Sequence, residues 1–246
     1  MNLSNQDLKL LAKRILKKNL TQITGISSVF LVVFLLLGFV TNYLASIANN
    51  YALLFINFLI TFILTLFFNV YTVGYLYSLL NLIRQKESSE PPATDLLYAF
   101  KTCPDRVIAI TILTDMLKFV WLIPAIVFLI LYYITGYQQE LYVVLFMASM
   151  LIGLIICCFV SLSFSQCLFL IAENPSITIM NALKSSRQIM KGQKGNLLYL
   201  YLSFLGLFLL GVFTMYLGFF IILPYFYLTL SFFYLDITQQ ITRKTL

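Results

Sequence analysis

An aspartate and a lysine, three residues apart, are the only closely spaced opposite charges within a long apolar run of this chain. Asp115 and Lys118, in TILTDMLKFVW, share one face of a predicted helix and can pair there. Ionisable side chains inside a membrane are candidates for proton relays or substrate contacts. The alternative is that this part of the helix lies at the membrane interface, with the Lys118 ammonium extending toward water.

Two further polar residues, Gln166 and Asp236, interrupt apolar stretches. Gln166 follows a serine-rich segment of the predicted fourth span, which could line a pathway with Asp115 or could form hydrogen bonds between helices. Asp115 and Asp236 are the only carboxylate pair available to an intramembrane aspartyl protease, and neither lies in a recognisable protease motif. We treat Asp115, Lys118, Gln166 and Asp236 as a candidate intramembrane polar site.

Several kinds of catalytic site are excluded by the residues that the chain lacks. It contains no histidine, which removes Ser-His-Asp and Cys-His catalysis and the usual zinc ligand sets. It has neither the glycine-rich motif of an ATPase nor that of a dinucleotide-binding enzyme. We therefore predict a protein that is not an enzyme and that holds no metal or cofactor.

The composition indicates an integral membrane protein. Of the 246 residues, 61% are hydrophobic and 10% are charged, whereas a soluble domain has about 45–50% apolar and about 25% charged residues. A membrane-spanning helix needs about 20 apolar residues. We predict an all-α, polytopic transmembrane bundle of about six spans, in the stretches Ile26–Ile47, Tyr51–Leu82, Val107–Thr135, Leu141–Ala172, Asn196–Leu217 and Pro224–Gln239.

The predicted organisation is one integral membrane domain over residues 1–246. Because the last span is short, five spans or a re-entrant final segment is the alternative to six. The first span is too long for a cleaved signal, so we expect it to be retained. The segments are a basic amphipathic helix (1–24), spans one and two (26–83), a cytoplasmic loop (84–106), spans three and four (107–172), a second basic amphipathic helix (173–195), spans five and six (196–240) and a tail (241–246).

The positive charges are distributed unevenly along the chain. The formal net charge is +7, and every Lys and Arg except Lys118 lies before the first span, in the second or fourth connection, or in the tail. By the positive-inside rule, these segments and both termini are cytoplasmic, which requires an even number of spans. We therefore expect a multi-pass protein of a cell membrane and no nucleic-acid partner.

Two of the basic segments have helical amphipathic periodicity. Apolar residues at Leu8, Leu11, Ile15 and Leu16 form one stripe, and Ile179, Leu183, Ser186 and Met190 form another. Such helices typically lie in the membrane plane, with the apolar side in the acyl boundary and the cations toward phosphates. The expected partners are anionic lipids, and an amphipathic peptide or a transporter partner is a further interpretation. The predicted headgroup contacts are Lys13, Arg14, Lys17, Lys18, Lys184, Arg187, Lys191 and Lys194.

The order of segments suggests a threefold internal repeat, each unit being an interfacial helix followed by a two-span hairpin. Ala12, Ala99 and Ala182 occupy similar places in the three units. A repeat would imply a pseudo-symmetric bundle, as in many transporters. The alternative is the alternation of basic loops and apolar hairpins that any polytopic protein shows.

The last third of the chain, from ALKSSRQIMKG to FFYLDI, resembles a bacterial integral-membrane family, common in Firmicutes, that is known only as domain of unknown function nine-seven-five. The N-terminal LAKRILKKNL also looks like the start of that family. The resemblance implies a multi-span membrane protein with no established activity. A more distant similarity, to the membrane portion of some glycerophosphodiester phosphodiesterases, implies work close to lipids. The residues that carry the family resemblance are Ser186-Arg187, Met190-Lys191-Gly192, Leu202-Ser203-Phe204, Thr214, Gly218, Pro224-Tyr225 and Phe233-Tyr234.

Two functions remain from the sequence. The leading expectation is a non-enzymatic membrane protein for envelope homeostasis or for protection against membrane-active peptides, as in bacteriocin immunity. The rival is a permease or exporter subunit that uses Asp115 and the polar face of the fourth span.

Overall fold

A computed structural model describes residues 3–47, 50–84, 93–136, 140–214 and 217–240, and of residues 93 and 94 only the backbone. Residues 85–92 of the predicted cytoplasmic loop and the whole predicted tail lie outside these ranges. Within them the chain is helical and contains no strand. The α-helices are α1 (Asn5–Lys18), α2 (Leu20–Ser46), α3 (Tyr51–Arg84), α4 (Tyr98–Thr102), α5 (Pro104–Phe119), α6 (Ile123–Ile134), α7 (Glu140–Phe164), α8 (Cys167–Glu173), α9 (Ile179–Ile189), α10 (Lys194–Phe213) and α11 (Phe219–Ile237), with 3-10 turns at Ala93–Leu97 and Val120–Leu122.

Six helical segments in the described part of the chain are long and apolar enough to cross a membrane, which confirms the all-α, six-span prediction. Large apolar side chains on these segments are exposed, including Phe39 at 71% and Phe213 at 83%. An apolar surface of this extent is unfavourable in water and favourable in lipid. The protein is therefore a multi-pass membrane protein. The spans are Leu20–Ser46, Tyr51–Arg84, Pro104–Ile134, Glu140–Glu173, Lys194–Phe213 and Phe219–Ile237.

Spans three and four are each built from two helical pieces. The third changes to a 3-10 turn at Val120–Leu122, because Pro124 has no N–H to donate to the carbonyl of Val120 and its ring clashes there. The fourth turns at residues 165–166, between α7 and α8. The predicted start of the sixth span at Pro224 is wrong, since α11 begins at Phe219 and contains the proline; helix-breaking residues are tolerated in membrane helices when neighbours satisfy the freed carbonyl.

The helix order repeats three times along the described chain. The first unit is α1 followed by the hairpin of α2 and α3. The second is α4 with its preceding 3-10 turn, followed by the two broken spans, and the third is α9 followed by α10 and α11. This is the predicted unit of a short helix and a two-span hairpin. Ala12, Ala99 and Ala182, the predicted equivalent positions, all have 0% exposure.

The second and third short helices each pack on the second span of the preceding unit, and the short helix of the first unit packs on the second span of the third. The 3-10 turn and α4 pack on α3, α9 packs on α7 and α8, and α1 packs on α11. The contact at α3 is close, because a Cβ on Gly74 would lie 2.0 Å from the Leu96 carbonyl oxygen, so this position requires glycine. The three units therefore close into a ring.

The three short helices lie at the same end of the bundle, which we call the charged end. The Leu3 amide donates to the Asp236 carboxylate at 3.1 Å, and the Asn5 side chain donates to the Asn196 carbonyl at 3.2 Å. Arg106, at the start of α5, donates to the Pro175 carbonyl just before α9. Both ends of the described chain therefore lie together, as an even number of spans requires.

Candidate functional site

The second spans of all three units end in one polar cluster, which we call the Glu173 cluster. It consists of Arg84 at the end of α3, Glu173 at the end of α8, Tyr234 in α11 and Gln240 just after α11. Arg84 donates to Glu173 and, at 2.6 Å, to the Gln240 side-chain oxygen. Tyr234 donates to the other Glu173 oxygen, and the Gln240 amide donates to both oxygens at 2.9 and 3.2 Å. One carboxylate thus joins three spans.

Sequence reasoning missed the Glu173 cluster. Gln239 adopts a left-handed conformation, with φ of 58°, and this turn brings Gln240 back toward Glu173. A signal was available in the repeat: Arg84 and Glu173 are each the last residue of the second span of a unit. Aligning the ends of the units would have paired these two opposite charges.

The apolar stripe of α1 is buried in the protein and does not face lipid. Leu8, Leu11, Ala12 and Leu16 have at most 6% exposure, because this side packs on α11. The prediction that the stripe lies in the acyl boundary is therefore wrong. The periodicity identified a buried face, and that face is covered by protein.

Contacts beyond the stripe also hold α1 in place. Ser4 and Asp7 form a capping box at its first turn, which satisfies amide groups that a helix start leaves unpaired. Lys9 lies 4.5 Å from the Phe204 ring centroid and donates to the Ser203 carbonyl at 3.3 Å. These contacts join Lys9 of α1 to α10, and its partial burial there lowers the pKa of the ammonium. The predicted headgroup residues of α1, which are Lys13, Arg14, Lys17 and Lys18, are all exposed.

The helix α9 has the same arrangement, with one face docked and one face basic. Its Ser186 hydroxyl donates to the Ser163 carbonyl at 3.0 Å, and the Cys167 thiol contacts the Ala182 carbonyl at 3.8 Å. Met190, which follows α9, has 0% exposure. The apolar side of α9 is therefore also covered by protein and does not lie in the acyl boundary.

The cations of α9 line a cleft with the start of α10, which we call the basic cleft. The cleft has a volume of about 580 Å³. The chain reverses at Gly192, whose φ of 83° favours glycine. The residues that line the basic cleft are Lys184, Arg187, Gln188, Lys191, Gly192 and Lys194. All four predicted headgroup residues of this segment are thus brought together, with Lys194 half-buried and the other three exposed.

Asp115 and Lys118 form the predicted ion pair, with 2.8 Å between the ammonium nitrogen and a carboxylate oxygen. They line a second cavity, of about 160 Å³, between α3, α5, α7 and α8. Ser161 and Ser165 of the fourth span and Asn69 of the second also line it. The arrangement offers a mixed-charge, hydroxyl-lined cavity among the spans.

The other two members of the predicted intramembrane polar site, Gln166 and Asp236, are not among the residues that line this cavity. Gln166 has 2% exposure; its amide donates to Ser165 at 3.0 Å, and its side-chain oxygen has no partner among the described residues. Asp236 accepts a hydrogen bond from the Leu3 amide at the charged end. The structure therefore places Asp115 and Lys118 in one cavity and separates Asp236 from them.

Comparison with known proteins gives a family and no activity. A family model described as "Protein of unknown function (DUF975)" matches residues 1–241. No curated protein and no solved structure matches the chain. The match covers all three units of the ring, from α1 to the Glu173 cluster. The chain belongs to the family of proteins of unknown function designated DUF975.

Proposed function

We propose that this is a non-enzymatic protein of a bacterial cytoplasmic membrane that contacts anionic lipid through its basic helices and protects the envelope against membrane-active peptides. The observation that carries the proposal is the charged end. There the apolar sides of α1 and α9 are docked on the bundle, and eight Lys and Arg side chains remain exposed or half-exposed.

Electrostatics favours anionic lipid as the ligand of the charged end. An anionic leaflet attracts nearby Lys and Arg side chains by about 1 kcal/mol each, within a Debye length of the surface. Since the apolar stripes of both helices are covered, the exposed cations are the groups that can contact lipid phosphates, beside single exposed apolar residues such as Leu10 and Met180. Added salt should therefore weaken this contact steeply.

The orientation follows from the same charges. We place the charged end, with both termini, in the cytoplasm, because Lys and Arg accumulate on that side. Single cysteines at Gly136, on the opposite end, and at Lys101, on the charged end, would report the orientation through a membrane-impermeant thiol reagent in a variant without native cysteines. Labelling of Lys101→Cys in intact cells would contradict the orientation.

The protective role is tested in a deletion strain. We expect the strain to be more sensitive to cationic membrane-active peptides and to be rescued by the wild type. A variant with Ala at Lys13, Lys17, Lys18, Lys184, Arg187 and Lys191 should not rescue at equal expression. The matched control exchanges Lys for Arg, and Arg for Lys, at the same positions and should rescue. An unchanged sensitivity of the deletion strain would overturn the proposed role.

A permease or exporter subunit is the second candidate, and the cavity around Asp115 and Lys118 favours it. If protons or a charged substrate pass there, Asp115→Asn should abolish the flux measured in proteoliposomes with a pH-sensitive dye. The matched control is Asp105→Asn, an exposed residue at the start of the same helix, which should leave flux unchanged. Equal flux in both variants and the wild type would exclude Asp115 from a transport pathway.

A further inference from the structure

We propose that the basic cleft is a specific binding site for one membrane lipid whose headgroup carries two phosphates. The inference rests on the proposed lipid contact and deepens it: anionic lipid would be recognised at one site rather than by positive charge spread evenly over both basic helices.

The first argument is the convergence of unpaired cations. Lys184, Arg187 and Lys191 follow one another at steps of three and four residues, so they project from one side of α9 and its C-terminal turn. The reversal at Gly192 then brings Lys194 into the same lining. None of the four side chains pairs with a described carboxylate. Four like charges around one cleft repel each other, and a bound anion removes that repulsion.

The second argument is that the cleft is held in shape without a ligand. Ala182, Ser186 and Met190, on the opposite side of the segment, all have 0% exposure. The Ser186 hydrogen bond to the Ser163 carbonyl ties α9 to the fourth span. The backbone is therefore fixed before binding, and a preorganised site loses less entropy on binding than a mobile one.

The third argument concerns why the ligand is a lipid. In α10, Leu198 and Leu202 lie four and eight residues after Lys194, so all three share one helix face. Leu198 is 39% exposed and Leu202 is 55% exposed. The face begins with a cation in the cleft and continues as apolar surface along a membrane span. A ligand with phosphates at one end and acyl chains at the other matches both parts.

The charge count favours two phosphates over one. Four cations are balanced better by two phosphate groups than by a single phosphodiester. Arg187 can bind phosphate oxygens in a bidentate manner, and the lysines contribute point charges around it. Basic pockets between membrane helices are a known kind of site for cardiolipin-type headgroups.

The test uses the full-length protein in neutral detergent and counts bound lipids by native mass spectrometry. The probes are cardiolipin, phosphatidylglycerol at twice the molar concentration and phosphatidylcholine. We expect one cardiolipin per chain, retained more tightly than phosphatidylglycerol. Ala at Lys184, Arg187 and Lys191 should weaken cardiolipin binding about 100-fold. Ala at Lys13, Lys17 and Lys18 removes the same charge from α1 and should change it less than about threefold.

The outcomes separate the two proposals. Equal weakening by both triple variants would overturn the specific site and leave the general lipid contact standing. A wild type that retains phosphatidylcholine as well as anionic lipids would overturn both. Displacement of cardiolipin by an equal concentration of inorganic pyrophosphate would show that acyl chains contribute nothing, and would overturn the lipid as the ligand. Unchanged elution and melting temperature of the variants show that they are folded.

Discussion

The basic helices α1 and α9 share one pattern but occupy different positions in the ring. Both bury one face against a span, α1 against α11 and α9 against the two pieces of the fourth span, and both present lysines and arginines on the other face. The helix α1 is the closing element, because it packs on the last span and is fixed by its capping box and by the Asp236 contact. The helix α9 stands inside the chain, followed closely by α10, and the two form the basic cleft.

This difference shows that positive charge alone does not define a site. The cations of α1 project from a single helix, whereas those of α9 meet a further lysine across a glycine turn. A shaped cleft can distinguish one headgroup from another, and a row of charges on one helix distinguishes mainly sign and number. We therefore assign general membrane contact to α1 and selective binding to α9.

The largest expected effect tests whether the two helices dock equally well. Leu8 in α1 has 1% exposure and Met190 after α9 has 0%. Leu8→Ala and Met190→Ala should each lower the free energy of unfolding by about 2–5 kcal/mol, because each leaves a cavity in a packed contact. Unfolding in mixed micelles by SDS titration measures this.

Exposed apolar residues on the same helices are the matched controls for docking. Leu10 in α1 is 62% exposed and Met180 in α9 is 58% exposed. Leu10→Ala and Met180→Ala should change stability by no more than about 0.5 kcal/mol. If Leu8→Ala behaved like Leu10→Ala, α1 would not be docked on α11, and the comparison of two docked helices would fail.

A smaller effect is expected at the turn that distinguishes α9 from α1. Gly192 has a φ of 83°, so Gly192→Ala should cost about 1–2 kcal/mol in backbone strain. Gly195, three residues later in α10, has an ordinary conformation and open space around a Cβ. Gly195→Ala should therefore be neutral or slightly stabilising in the same titration. Equal effects of the two substitutions would show that the turn is not strained by a side chain.

The smallest effect should appear at the helix starts. Ser4→Ala removes the capping box of α1 and should cost about 1 kcal/mol. Thr178 occupies the same position before α9 but makes no side-chain capping bond, so Thr178→Ala should cost close to nothing. Hydrogen exchange of the first amides of each helix measures the difference. Equal protection losses would mean that the cap does not distinguish the two helices.

Local features of the fold could be predicted from the sequence. The six spans depend on runs of apolar residues, and the Asp115–Lys118 pair depends on a three-residue spacing; both were predicted and both are observed. The Glu173 cluster depends on three spans that meet only in the folded bundle, so no local pattern indicates it. The same applies to the separation of Asp236 from Asp115.

The amphipathic helices show a physical reason for the remaining error. Periodicity correctly indicated that Leu8, Leu11 and Leu16 lie on an apolar side, and the structure buries all three. Lipid tails and protein interiors are similarly apolar, so hydrophobicity cannot tell which of them covers a stripe. In this protein α11 covers the apolar stripe of α1, and it lies some 200 residues further along the chain.

That distance has a consequence for biogenesis. The helix α1 leaves the ribosome before α11, on which it packs, because α11 begins only at Phe219. At roughly 5–20 residues per second, translation takes on the order of tens of seconds to supply it. Until then the apolar side of the newly made α1 cannot pack on α11, and the bilayer surface is the apolar environment available to it. Completion of the ring thus moves the apolar side of α1 from the bilayer surface onto α11.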